Sequence, residues 1–589
     1  MDHLVVYLLF FNIIFRNQAQ QVLDKDYWYK DAQEGIRRRL ALFGNHLSDE
    51  RAKNIILMVG DGMGLSTLTA SRILKGQKLG ISGEEYHLAW DKFPAVALAK
   101  TYNLDAQIGE SSACATALSC GVKANYETLG LDGRGKFENC VSSFSARVES
   151  VLEWSQKAGK ATGIVTNTRV THATPAAFYG HSPSRYWEDD GKVPFVARKQ
   201  CKDLARQLVE DYPGKDIDVI FGGGRRHWLP KVAKDPEDHM EEGRRLDGRN
   251  LVEDWLRDKR KRGIKAAYVW NKQQMDKLEM NVQQVLGLFA YSHMDFELDR
   301  DKSGDPSLAE MTIKALSILK RNSNGFFLFI ESGRIDHAHH YNNPHRALDE
   351  TLALEETLLQ VLALVNLSET LIVVTADHSH VMTIGGMSTP RGNSILGMDS
   401  KVSDIDGLPY STLLYSNGPG FSVPRLVPSN ASATDKNSVH GSGVPRHWAT
   451  HSGEDVPVYA SGPLASVLLT GTMDQSYIPH ALAYIACLGE YRERCNGTRT
   501  HNLSTSPTFN ISKATTPPAC IVPNNSRDAV VLASSVIRDD PGGGVAMNQA
   551  TPTFPSSLVK YLVYSVAMFV LNRIEGASVV MLCCLVWVS

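Results

Sequence analysis

The sequence predicts an α/β fold, a large and mostly parallel central sheet flanked by helices on both faces. Three observations predict it. Short, almost continuous apolar runs recur along the chain, as expected of strands buried on both sides. Stretches with helical spacing separate them. Several of the apolar runs also end in acidic residues or histidine, which suits strands that deliver side chains to the carboxyl edge of a parallel sheet.

The elements follow in chain order. Residues 1–19 carry an apolar stretch at 4–15, short of the ~20 residues of a membrane span, with Ala19 as a small residue for cleavage. They read as a signal peptide, although Asp2 replaces the usual basic residues. The folded body is expected over 20–495. Residues 25–48 have helical spacing and form an N-terminal arm. Buried strands are predicted at "NIILMVG" (54–60), "ATGIVT" (161–166), "DIDVIFGGG" (216–224), "FFLFIE" (326–331) and "TLIVVTADH" (370–378). Helical periodicity covers 146–159 and 345–365, and the basic run "KRKR" (259–262) reads as a solvated helix face. Residues 385–447, rich in Gly, Ser and Pro, form an irregular insertion.

The ends of the chain point to export. Residues 496–557 are a Ser/Thr/Pro-rich stalk containing the glycosylation sequons at Asn496, Asn502, Asn510 and Asn524; two more stand at Asn366 and Asn430. In the tail, 558–589, two apolar segments flank "NRIEG". A single span would carry central charges at about 2.5–3.5 kcal/mol each. A removable GPI-attachment signal fits better and would anchor the chain at the outer face of the cell membrane. Nine cysteines agree with an oxidising compartment. The 589 residues have a formal net charge of −2 and no basic stripe, so no nucleic-acid partner is indicated.

The stretch "FFLFIESGRIDHAHH" (326–340) runs from a buried strand into two acids, an arginine and three histidines. Glu331, Asp61 after the first strand, and Asp377-His378 after another put ionisable groups at three strand ends. One such Asp is often only a helix N-cap, a reading that three together do not share. Asp336 and His340 share a face if the turn becomes a helix. With a further His they would form a tetrahedral zinc site with an open position, and Asp377-His378 would serve a second zinc. Glu331, Asp61 and a hydroxyl suit magnesium. Two zincs ~3.5–4 Å apart would clamp an in-line phosphoryl transfer. In "IGESSACATALSCGVKAN" (108–125), Ser111 or Ser112 opens a helix of small residues. The helix dipole there favours an alkoxide, and the competing reading is a simple Ser N-cap.

The segments "VGDGMG", "TRVTHATP", "HSPSR", "IESGRIDHAHH", "TADHSH" and "THSGEDV", in this order, resemble those of animal-type alkaline phosphatases over about residues 25–495. The resemblance implies hydrolysis of phosphate monoesters at alkaline pH through a phosphoserine, with two Zn2+ and one Mg2+ per chain and a homodimer. It implies that Asp336, His340 and His451 hold the first zinc. Asp61, Asp377 and His378 would hold the second, with Ser111 as nucleophile, and Thr174 and Glu331 would join Asp61 at magnesium. Arg185 would clamp the phosphoryl oxygens, and His172, His337 and His380 would touch phosphate, the magnesium's waters or the ligands. The insertion at 385–447 would be a crown region. Disulfides are implied at Cys140–Cys201 and Cys487–Cys495, with Cys114 and Cys120 left as buried thiols.

Three departures stand out. Glu110 replaces the usual Asp before the nucleophile, and its extra methylene is expected to shift Arg185 and weaken phosphate retention. Ser112 replaces a smaller residue. Ala290 replaces an acidic ligand at a calcium site otherwise matched by Glu237, the Phe289 carbonyl and Asp305, so calcium is expected to bind weakly. The competing readings are a sulfatase of related architecture, against which no Cys-x-Pro-x-Arg stretch occurs, a phosphodiesterase, against which Arg185 suits a dianionic terminal phosphate, and a cell-surface binding protein with impaired catalysis.

Overall fold

The computed structural model describes residues 23–43, 50–387, 389–426 and 434–495. Its strands are β1 (Asn54–Gly60), β2 (Ala95–Lys100), β3 (Ala161–Arg169), β4 (Val219–Gly223), β5 (Ala266–Val269), β6 (Gln284–Leu288), β7 (Phe326–Ser332) and β8 (Thr370–Ala376). There follow β9 (Ser379–His380), β10 (Met382–Ile384), β11 (Leu413–Gly418), β12 (Ser442–Pro445), β13 (His451–Ser452), β14 (Val456–Ser461) and β15 (Gly471–Asp474). Ten of them form one sheet in the order β15-β2-β14-β8-β1-β7-β3-β4-β6-β5. Within it only β14 runs antiparallel to its neighbours, β2 and β8.

Every residue of β1, β7 and β8 is buried, which is why these strands are continuously apolar. The helices that matter here are α1 (Lys25–Phe43), α2 (Leu65–Lys78), α3 (Ser111–Cys120), α4 (Cys140–Ala146), α5 (Val151–Lys157), α6 (Ala173–Ala176), α7 (Leu251–Lys261), α8 (Leu308–Leu319), α9 (Arg334–His340), α10 (Pro344–Leu364) and α11 (Tyr477–Ala486). One group packs α2, α8 and α10 together, and another joins α11 to α1, α3 and α5. In α1 the spaced side chains of Trp28, Tyr29, Ala32 and Ile36 are buried, which gives the arm its apolar stripe.

The structure departs from the sequence reading in places. The stretch expected as one helix at 146–159 breaks, because the Ser150 side chain caps α5 by accepting from Glu153 N–H. In the basic run, Lys259 is buried and its ammonium donates to the Lys215 carbonyl, so only its neighbours are solvated. The 385–447 insertion is more ordered than expected: β11 and β12 lie in it and form a three-stranded sheet with β10.

Cys140 is bonded to Cys201 and Cys487 to Cys495, while Cys114 and Cys120 are buried thiols. Asn366 is exposed just beyond α10. The expected leader at 1–19, the other five sequons, the stalk and the tail lie outside the described residues. Among the described residues no helix is long and apolar enough to cross a membrane.

Candidate active site

Four adjacent strands, β8-β1-β7-β3, build the site at their carboxyl ends. Register aligns Val59 with Glu331 and Gly60 with both Ser332 and Ala376. Asp61 therefore follows β1 between Glu331 on one side and Asp377 on the other. Asp61 is not a helix cap, since α2 begins later, with Gly64 at its N-cap position.

Helix α9 places Asp336 and His340 on one face, with His340 Nε2 3.2 Å from Asp336 Oδ2. The ribbon of β9 and β13 pairs His380 with His451 and brings a distant segment to the same carboxylate. His451 Nε2 is 3.4 Å and His380 Nε2 2.5 Å from Asp336 Oδ1. His340 and His451 each fix their Nδ1 on a carbonyl, of Ala449 at 2.6 Å and Gly109 at 2.9 Å, leaving Nε2 for the shared centre. Asp336, His340, His380 and His451 thus form one compact ligand group. His380, expected only as a neighbour, sits directly on Asp336.

A second group centres on His378. Its Nε2 is 3.4 Å from Asp61 Oδ1, 3.3 Å from Asp377 Oδ2 and 3.3 Å from Ser111 Oγ. Asp377 Oδ1 accepts from Gly62 and His378 N–H, so only Oδ2 faces the site. A third group joins Asp61, His172 and Glu331. Thr166 and Thr168 hydroxyls bond Glu331 Oε2. These threonines escaped the sequence reading, although alternating Thr at the end of a buried strand was a visible signal.

The donor set fits cations. Both oxygens of Asp61, Oδ2 of Asp377, Oε1 of Glu331 and Oγ1 of Thr174 are buried without a hydrogen-bond partner, a costly arrangement unless another charge satisfies them. Burial, then repulsion from Asp377, Asp336 and Glu331, pushes the Asp61 carboxyl well up. Burial, opposed by the threonine hydroxyls, leaves Glu331 pushed up to about 7. Burial also raises Asp377, to about 6. For Asp336 burial acts the same way, but His340 and His380 overcome it and hold the carboxyl well below its usual range. The imidazole–carboxylate groups match zinc, and the all-oxygen set of Asp61, Glu331 and Thr174 matches magnesium.

Ser111 opens α3, but the cap is Glu110, not a serine. The Glu110 carboxylate accepts from Ser112 and Ala113 N–H and from the Ser112 hydroxyl at 2.6 Å, so the Ser112 hydroxyl is engaged by Glu110. Glu110 also pairs with Arg185 Nη1 at 2.7 Å. The extra methylene does not break this contact. Arg185 Nη2 is in turn 3.3 Å from His172 Nε2, and the His172 and His337 rings are 5.4 Å apart.

At the expected calcium position, the Arg225 guanidinium already pairs with Glu237. Burial, then Glu237, raises Asp305 to about 6. These two acids belong to none of the compact ligand groups among the described residues.

A parallel α/β sheet whose carboxyl edge surrounds a helix-borne serine with metal-ligand side chains defines a metal-binding hydrolase. The alkaline phosphatase family model matches residues 52–488, and the chain belongs to that family. The tissue-nonspecific alkaline phosphatase of Gallus gallus is 48% identical over 483 residues, 80% of this chain and 91% of that protein. The Homo sapiens isozyme is 46% identical over 480 residues, 80% and 90% of the two chains. The membrane-bound alkaline phosphatase of Bombyx mori is 41% identical over 484, covering 80% and 87%. Among solved structures, the alkaline phosphatase of Thermus thermophilus matches with a TM-score of 0.53 at 24% identity, over 76% of this chain and 94% of that one. A TAB5 alkaline phosphatase mutant with Mg bound in its M3 site gives 0.52 at 20% identity, over 75% and 99%. The structural likenesses show the fold; the sequence relatives make this chain an animal-type alkaline phosphatase, a hydrolase of phosphate monoesters.

Proposed function

We propose that the chain cleaves phosphate monoesters at alkaline pH in two displacements through a phosphoserine at Ser111. The observation that carries this reading is the position of Ser111, at the start of α3 and 3.3 Å from the imidazole that also touches Asp61 and Asp377. Asp336, His340 and His451 would hold one zinc, with His380 fixing Asp336. Asp61, Asp377 and His378 would hold the other, and Asp61, Thr174 and Glu331 a magnesium. Bound there, the ions supply Lewis acidity and neutralise the charge that develops on oxygen.

Ser111 Oγ forms the bond to phosphorus while the bond to the leaving alcohol breaks, and water then displaces Ser111 and releases phosphate. Arg185, held by Glu110, orients the non-bridging oxygens with its planar fork. His172 and His337 hydrogen-bond on the same side of the phosphate. Because recognition centres on the phosphate, the specificity is broad.

The tail composition, the sequons and the membrane-bound relative support a glycosylated, GPI-anchored protein at the cell surface, and the family resemblance alone implies a homodimer. A calcium site weakened by Ala290 completes the reading, at Glu237, the Phe289 carbonyl and Asp305. The test is hydrolysis of a chromogenic monoester from pH 6 to 11 by the protein and by Ser111→Ala, with zinc and magnesium quantified in both. Activity rising into alkaline pH and lost in the variant at unchanged metal content is expected. Turnover retained by Ser111→Ala would sink the phosphoserine route.

A further inference from the structure

Beside the phosphate-side residues lies a strip of imidazoles and guanidiniums. His293, in the loop after β6, is 4.3 Å from His337 and 5.2 Å from His172 between ring centres. The three rings bring nitrogens within 4.8 Å of one another, the ligand count of a zinc site. Yet Arg334 Nη1 donates to His337 Nδ1 at 3.1 Å, Arg169 donates to His293, and Arg185 lies against His172. Three guanidiniums around three imidazoles repel a cation and attract an anion.

Two of those guanidiniums are already neutralised, Arg185 by Glu110 and Arg169 by Glu188, each at 2.7 Å. Arg334 is different. It is half-buried, stacked 3.7 Å above the Phe296 ring, and forms no ion pair among the described residues. Its Nε is buried without a hydrogen-bond partner. The buried acid that acts on it most, Glu350, is taken up by Asn167 Nδ2 at 2.9 Å and Glu297 N–H at 2.6 Å. A shielded charge is costly unless an opposite charge meets it.

We propose that Arg334, with His337, forms a subsite for a second anionic group, a phosphate or carboxylate, carried by the leaving group of the phosphomonoester; both ring nitrogens of His293 are taken by Arg169. The subsite rests on the placing of the scissile phosphate between Ser111 and Arg185. Phe296 stacks against the guanidinium, and the hydrogen bond to His337 joins it to the residue next to Asp336. Monoesters with a second anion would therefore be preferred over neutral ones of equal length.

The test compares kcat/KM for propyl phosphate, 3-phosphooxypropanoate and propane-1,3-diol bisphosphate, the last corrected for its two equivalent esters, using the metal-loaded full chain. A charge-assisted contact gives the anionic esters an advantage of about ten-fold, shrinking in high salt. Arg334→Gln is expected to remove most of that ratio and Arg334→Lys to restore part of it. An advantage for only one of the two anionic esters identifies which group the subsite takes. No advantage in the wild type, or an equal loss on all three esters in Arg334→Gln, would overturn the subsite. Ser111→Ala serves as the control: turnover retained there overturns the placing of the phosphate and the subsite together, whereas a strict Ser111 requirement without anion preference overturns the subsite alone.

Discussion

Replacing Glu110 probes the site most sharply, because several bonds converge on one buried carboxylate. It accepts from the N–H groups of Ser112 at 2.9 Å, Ala113 at 2.8 Å and Glu127 at 2.9 Å, and pairs with Arg185 at 2.7 Å. Burial opposes its ionisation, but Arg185 and these donors hold the carboxyl below the usual range. Glu110→Ala removes a helix cap, about 1 kcal/mol, and leaves a buried guanidinium unpaired, about 3–5 kcal/mol. The expected destabilisation is therefore on the order of 4–6 kcal/mol. A loosened Arg185 also loses about 3 kcal/mol of transition-state stabilisation, roughly a hundred-fold in kcat/KM. Glu110→Asp keeps the charge but draws it back by one methylene, so it re-aims the fork rather than freeing it. Its expected signature is a lower inhibition constant for phosphate with turnover retained. Denaturant unfolding, kcat/KM and phosphate inhibition on metal-loaded protein measure all three quantities. A loss below about 1 kcal/mol in Glu110→Ala would show that the cap and ion pair are not coupled as argued, and an unchanged phosphate constant in Glu110→Asp would refute the geometric account of Arg185.

Ser112→Ala should keep turnover, because the Ser112 hydroxyl is spent on Glu110; loss of activity in a single-turnover assay would reverse the assignment of the nucleophile. Burial raises Asp218 to about 6, although its carboxylate accepts from Thr162 N–H at 2.8 Å. Because this folded-state pKa lies above the unfolded one, its stabilising proton is fully present below about pH 4 and lost as pH rises through about 6. Asp218→Asn should raise the melting temperature at pH 8, by at most about 3 kcal/mol of stability, with little gain at pH 4.5; equal effects at both would contradict it. Calcium should shift the melting temperature by less than about 2 °C, since Arg225, shared with the buried Asp235, already pairs with Glu237, and a large calorimetric shift would count against a weakened site.

Much of this fold was legible because parallel strands covered on both faces must be apolar throughout. That is true of β1, β7 and β8, and their acidic ends marked the reactive edge. Strand β2 was not legible: Ala95, Ala97 and Ala99 point inward while Val96 and Leu98 are exposed, so it lacks both a bulky apolar run and a polar alternation. His451 reaches the site through a two-residue ribbon, a long-range pairing with no local pattern, and it was named only through resemblance. The cap on α3 was not legible because serine is a common N-cap and two stand at its start, whereas the cap is Glu110, which also reaches Arg185. His293 stands in a loop with no periodicity to single it out.

The strand order ties any cation bound at this edge to the folding of the sheet. With β8, β1 and β7 parallel and in register, Asp377 and Asp61 emerge side by side just past their strands, and Glu331, level with Val59, lies two residues earlier at the same buried edge. Like charges so placed repel, and burial removes the water that would screen them. The sheet cannot separate them without shifting register, which would turn buried apolar side chains of fully covered strands out of place. The buried, unpartnered oxygens of Asp61, Asp377 and Glu331 are therefore the price of concentrating the ligands at one point. Cations that bind only the folded arrangement relieve that repulsion and stabilise it by mass action. Ions held at this edge would therefore tie the stability of the folded state to the register that brings these carboxylates together.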